Sequence, residues 1–155
     1  MTNLLHWLKY KNQEQIGEFL GAWCGANLSG DENLKTVDVV IPVPLHPKKL
    51  KKRGYNQVAL FAQTVAESIE ATYRDDVLVK VVNTKTQTKK DRQLRWESSK
   101  EAFQLNPSSN HHFKHVLLVD DVITTGATIE ACTQVLQQIP GIEVSVLSMA
   151  MVPQG

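Results

Sequence analysis

The sequence predicts an α/β fold, a doubly wound and mainly parallel sheet with helices on both faces. Three observations carry this. Apolar, β-branched runs at 37–45, 77–82, 116–122 and 143–152 have the length of buried strands. Segments with helical spacing lie between or before them, at 13–26, at 56–73 and around Ile129, Leu136 and Ile139. The chain has 155 residues, 42% of them hydrophobic, which suits one domain around one core. Strands alternating with helices make βαβ units, whose strands run parallel.

In chain order, Ile16, Phe19, Leu20 and Trp23 give the first helix its apolar positions, and Ser29-Gly30-Asp31 ends it. VDVVIPVPL at 37–45 is the first strand, stopped by Pro42 and Pro44, which cannot donate to a ladder. A basic loop, HPKKLKKRGYNQ, spans 46–57. Val58, Phe61, Val65 and Ile69 recur at helical spacing over 56–73. VLVKVV at 77–82 is the next strand. Residues 84–115 are mostly polar and lack a period, as expected of a long functional loop. VLLVDDV at 116–122 is a strand ending in two acids. TTGAT at 124–128 is a turn, the following helix stops at Pro140-Gly141, and EVSVLSMAMV at 143–152 closes the sheet. Met149 and Met151 are expected to fill the core around that strand.

Composition narrows the function. Lys and Arg total 17 and Asp and Glu 16, so the net charge is +1 and no global basic field calls for nucleic acid. No apolar run approaches the roughly 20 residues that span a bilayer. The N-terminus lacks the pattern of a signal peptide. Cys24 and Cys132 lie far apart in helices and read as small core residues of a cytoplasmic, reducing compartment. His111, His112 and His115 match no metal-ligand spacing and read as an exposed turn, so no protein metal site is expected.

The informative segment is VLLVDDVITTGAT at 116–128. In an open α/β sheet, ligands bind beyond the carboxyl ends of the strands. Asp120 and Asp121 sit there. Thr124, Thr125, Gly126, Ala127 and Thr128 then lead into a helix whose first N–H groups attract an anion. Carboxylates accept hydrogen bonds, so an acidic pair beside an anion cradle matches a sugar phosphate, with its neighbouring hydroxyls. The pattern is neither a P-loop nor a dinucleotide fingerprint, since GxxxxGK[ST] and GxGxxG are both missing. The blander reading is an acidic pair that caps the next turn.

VLLVDDVITTGAT resembles the phosphoribosyl pyrophosphate (PRPP) signature of type I phosphoribosyltransferases. PVPLHPKKLKKRGYNQ at 42–57 and the TQTKK, RWE and AF elements within 86–103 resemble one subgroup, the ComF/GntX competence-type proteins. The resemblance implies that Asp120 and Asp121 hold the ribose hydroxyls and that residues 124–128 wrap the 5′-phosphate. It implies pyrophosphate contacts from Val43, Pro44, Leu45, Lys48, Lys49 and Arg53, in a turn that often has a cis peptide. Val43-Pro44 or Ile41-Pro42 are the places where proline would make that cheapest. It further implies a mobile catalytic loop carrying Lys85, Thr86, Lys89, Lys90, Arg92 and Arg95. Cations closing over the departing pyrophosphate would stabilise its charge. Trp96 could stack a base or pack on its own domain.

The expected function is then a Mg-dependent enzyme that moves ribose 5-phosphate from PRPP to an unidentified acceptor. Mg²⁺ would arrive with PRPP. The alternative is an accessory factor in DNA uptake that binds PRPP, a nucleotide or single-stranded DNA without turnover. Competence proteins or a second copy of the chain are candidate partners. A single domain over 1–155 is expected, with 1–30 as a helical hood. Subgroup members usually carry an N-terminal cysteine-rich zinc module, which this sequence lacks.

Overall fold

The structure, a computed structural model, describes residues 14–28, 30–81 and 102–152. In order, its elements are α1 (Glu14–Leu28), β1 (Val39–Pro42), α2 (Pro47–Arg53), α3 (Ala59–Ser68) and β2 (Thr72–Tyr73). They continue as β3 (Leu78–Lys80), β4 (Phe103–Leu105), β5 (His115–Ile123), α4 (Ala127–Leu136) and β6 (Glu143–Met151). Four strands form a parallel sheet in the order β2-β1-β5-β6. None of the described helices is long and apolar enough to cross a membrane.

The two central strands are buried on both faces because Val39–Pro42 and Val116–Val119 are apolar throughout. Val39 and Ile41 of β1, with Val116 and Leu118 of β5, face Ala131, Cys132, Val135 and Leu136 of α4. Val40, Leu117 and Val119 point the other way, onto Phe61, Ala62 and Val65 of α3. This two-residue alternation places a helix layer on each side. Each fully buried Leu or Ile contributes about 1.5–3 kcal/mol.

Several expectations are corrected. The strand read at 77–82 does not join the parallel sheet. Its ordered part, β3, pairs antiparallel with β4 as a separate two-stranded sheet, Lys80 opposite Phe103. The edge of the main sheet is instead the two-residue β2. The basic loop is partly helical, because His46 caps Lys48 N at 3.2 Å, Pro47 opens the helix and Gly54 closes it at φ 85°. Phe19 and Trp23 do not face the core; they are 71% and 65% exposed. The face of α1 turned to α3 carries Gly17, Gly21 and Gly25. A Cβ on Gly21 would lie 2.8 Å from Thr64 Cβ, and one on Gly25 2.3 Å from Ser68 Oγ. Close approach at these glycines joins the two helices, with Leu20, Cys24 and Leu28 packed against the α3 side. Met151 is exposed, and only Met149 packs against the core.

His115 corrects the histidine reading. It begins β5, is buried, and contacts Thr36 Oγ1 through Nδ1 at 2.8 Å and Ser145 Oγ through Nε2 at 2.9 Å. It is a satisfied core residue. The two thiols read as core residues are so: Cys132 is fully buried and Cys24 packs against the α3 side.

Candidate functional site

β1 and β5 lie side by side and end at the same edge of the sheet, Pro42 opposite Val119. The residues that follow them therefore converge. From β1 come Val43, Pro44, Leu45 and then α2. From β5 come Asp120, Asp121 and the turn into α4. This is where the acidic pair, the threonine-rich turn and the basic segment meet.

Asp120 is buried, with 8% of its surface exposed, and its Oδ1 accepts the Asp121 N–H at 2.8 Å. Burial, and then the adjacent Asp121 carboxylate, push its pKa up to about 6. Asp121 is half-buried. Its Oδ1 accepts the Val122 N–H at 2.8 Å and its Oδ2 accepts the Gln57 side-chain amide. Thr124, Thr125, Gly126, Ala127 and Thr128 line a small concavity of about 30 Å³ together with Asp120. Gly126 sits at φ 77°, with nothing within 4 Å of where a Cβ would stand. Gly126 is the N-cap of α4, whose first N–H groups have no partner within the helix; the Ala127 N–H donates to Thr125 Oγ1 at 3.4 Å.

The pyrophosphate-side residues divide. Val43 donates its N–H to Val119 O at 2.8 Å, and its carbonyl accepts Asn56 Nδ2 at 3.0 Å. Pro44 has no N–H, so Leu45 is the one of the three with a backbone donor to offer. No cis peptide bond occurs among the described residues, so neither Val43-Pro44 nor Ile41-Pro42 has one. Lys48 and Lys49 lie in the first turn of α2 and Arg53 ends it. Lys85, Thr86, Lys89, Lys90, Arg92, Arg95 and Trp96 lie outside the described residues.

Sequence reasoning missed three residues. Gln57 bridges Arg53 and Asp121 by accepting from the guanidinium and donating to the carboxylate. Asn56 ties the same segment to the end of β1 and accepts from Val58 N at 3.2 Å. Lys80 ends β3 with its Nζ 4.7 Å from the Phe103 ring centroid. It is half-buried and feels both Lys49 and Asp120; burial chiefly lowers its pKa. The RGYNQ element held a signal for the first two, but nothing local marked Lys80.

Larger hollows of about 550 and 980 Å³ lie at the opposite end of the sheet, against His111, His112 and Pro140. Neither contains the acidic pair or the glycine turn.

The model of the family described as "phosphoribosyl transferase domain" matches residues 58–147. Among curated proteins, the chain is 34% identical over 118 residues to competence protein F of Haemophilus influenzae, covering 76% of this chain and 52% of that protein. It is 27% identical over 139 residues to the DNA utilization protein YhgH of Escherichia coli K12, covering 88% and 60%. The chain thus spans little more than half the length of these relatives. Among solved structures, the allosteric regulatory enzyme of purine biosynthesis aligns with a TM-score of 0.57 at 22% identity, covering 88% of this chain and 26% of that one. An adenine phosphoribosyltransferase from Saccharomyces cerevisiae aligns at 0.55 and 14% identity, covering 93% and 72%. At these identities the structural likeness is one of fold.

Proposed function

The chain belongs to the phosphoribosyl transferase domain family, and from that premise we propose that it binds PRPP and transfers ribose 5-phosphate to an acceptor, releasing pyrophosphate. The observation that carries the reading is that Asp120 lines one concavity with the Gly126 turn at the start of α4, with Asp121 the next residue of β5. One ligand with a diol and a phosphate satisfies both.

Each group has a role. Asp121 accepts from one ribose hydroxyl, and Asp120 from its neighbour. The 124–128 turn fixes the 5′-phosphate. As the bond from the ribose C1 to the pyrophosphate oxygen breaks, the ribose becomes oxocarbenium-like and the carboxylates lie beside the developing positive charge. Lys49 and Lys80 face the negative charge that collects on the leaving group, and the acceptor nitrogen closes the new bond at C1. Mg²⁺ would neutralise the diphosphate when bound. It would arrive with PRPP, held chiefly by PRPP oxygens and water.

A second reading is supported by the similarity to proteins named for competence and DNA utilization. The same cradle would hold PRPP or a nucleotide without turnover, in an accessory factor for DNA uptake. An assay of pyrophosphate release across a panel of purine and pyrimidine bases separates the two. Release with one acceptor supports transfer, and binding of PRPP without release from any base supports the accessory role.

A further inference from the structure

Gln57 lies outside the matched family region, 64 positions from Asp121 in sequence, yet its Nε2 donates to Asp121 Oδ2. Its Oε1 accepts from Arg53 Nη1. Arg53 ends the basic helix α2, and Gly54 turns the chain back so that residues 56 and 57 meet the site. Asn56 locks that return by donating to Val43 O and capping Val58 N.

The chemistry of the three partners fixes the direction of this relay. A guanidinium has only donors and a carboxylate only acceptors. A residue joining them needs one acceptor and one donor in a single planar group, and glutamine supplies both. The amide oxygen must face Arg53 and the amide nitrogen must face Asp121. With Oδ1 accepting from the Val122 N–H and Oδ2 from Gln57, the orientation of the Asp121 carboxylate is set.

We infer that Gln57 is a positioning residue that presets the Asp121 carboxylate for ribose and ties it to Arg53 on the basic helix. The inference rests on the PRPP reading above. It assigns a role to a residue that touches neither the 5′-phosphate turn nor the reacting atoms.

The relay has an unusual signature, because the most conservative substitution is the most damaging. Gln57→Glu keeps size and shape and gains a charge partner in Arg53, but it sets an acceptor against Asp121. Gln57→Ala merely removes the contact. Losing a hydrogen bond to a charged group is worth roughly tenfold or more in affinity.

The test measures calorimetric affinities of PRPP, ribose 5-phosphate and inorganic pyrophosphate, with Mg²⁺, for the unaltered chain and both variants, alongside melting temperatures. The relay predicts about tenfold weaker PRPP and ribose 5-phosphate for Gln57→Ala and a larger loss for Gln57→Glu. Pyrophosphate should be nearly unchanged. Glu performing as well as Gln would overturn the inference while leaving the PRPP reading intact. So would equal losses for all three ligands with a lowered melting temperature, which marks a purely structural role. PRPP failing to bind the unaltered chain would overturn the reading and the relay with it.

Discussion

Lys80, the last residue of β3, and Asp120, near the end of β5, act on each other electrostatically across the site. The lysine holds the Asp120 pKa down against burial, and the carboxylate holds the Lys80 pKa up. Their elements belong to different sheets, so the pair links the antiparallel flank to the parallel core. Lys80 also feels the like charge of Lys49 on the basic helix.

Replacing Lys80 with Met should weaken PRPP binding severalfold, since a half-buried cation leaves the pyrophosphate side. It should also raise the Asp120 pKa above about 6, because the remaining influences, burial and Asp121, both push upward. Affinity for PRPP measured from pH 5 to pH 8 should show its midpoint displaced to higher pH in the variant. A displacement to lower pH would contradict the pairing.

The raised Asp120 pKa also sets a pH dependence of stability. The folded chain binds this proton more tightly than the unfolded chain, whose carboxyl titrates near 3.8. The burden of burying the charge is absent below pH 3.8, grows between 3.8 and about 6, and is fully present above. Asp120→Asn should therefore gain on the order of 2 kcal/mol over the unaltered chain at pH 7 and nearly nothing near pH 4. Denaturant unfolding of the two proteins at both pH values measures that difference.

Much of the fold was legible in the sequence because β5 and its turn concentrate their signals. An apolar run, two acids and Thr-Thr-Gly follow one another within thirteen residues. Elsewhere the determinants were not local. The strand β3 looked like a member of the main sheet because its partner, Phe103–Leu105, lies beyond a polar stretch. The helix α2 was hidden by a run of lysines with no apolar stripe, and its caps, His46 and Gly54, define it instead. Phe19 and Trp23 read as core because the glycines that carry the packing leave no hydrophobic signal. The Gln57–Asp121 contact joins residues 64 apart and could be found only once the strand ends were brought together.

Gly126→Val should damage both conformation and binding. A β-branched residue at φ 77° is strained by roughly 1–2 kcal/mol. Its side chain would also enter the open space in front of the α4 N-terminus. Ribose 5-phosphate affinity should fall more than tenfold and the melting temperature by a few degrees. Affinity equal to that of the unaltered chain would argue against the cradle.

Gly21→Leu tests the packing of α1 independently of the site. The first added carbon already lies 2.8 Å from Thr64 Cβ and 3.0 Å from the Phe61 carbonyl oxygen. The two helices must move apart, at a cost of about 1–3 kcal/mol. Urea unfolding should show that loss, with PRPP affinity retained per folded molecule.

The central claim is that Asp120, Asp121 and the 124–128 turn form one PRPP site. Calorimetric titration of PRPP in Mg²⁺ buffer against the unaltered chain and the Asp120→Asn, Asp121→Asn double variant tests it most directly. The account predicts one-to-one binding to the unaltered chain and no measurable binding to a double variant that still folds cooperatively. Equal affinity in the two proteins, or no binding to either, would contradict it.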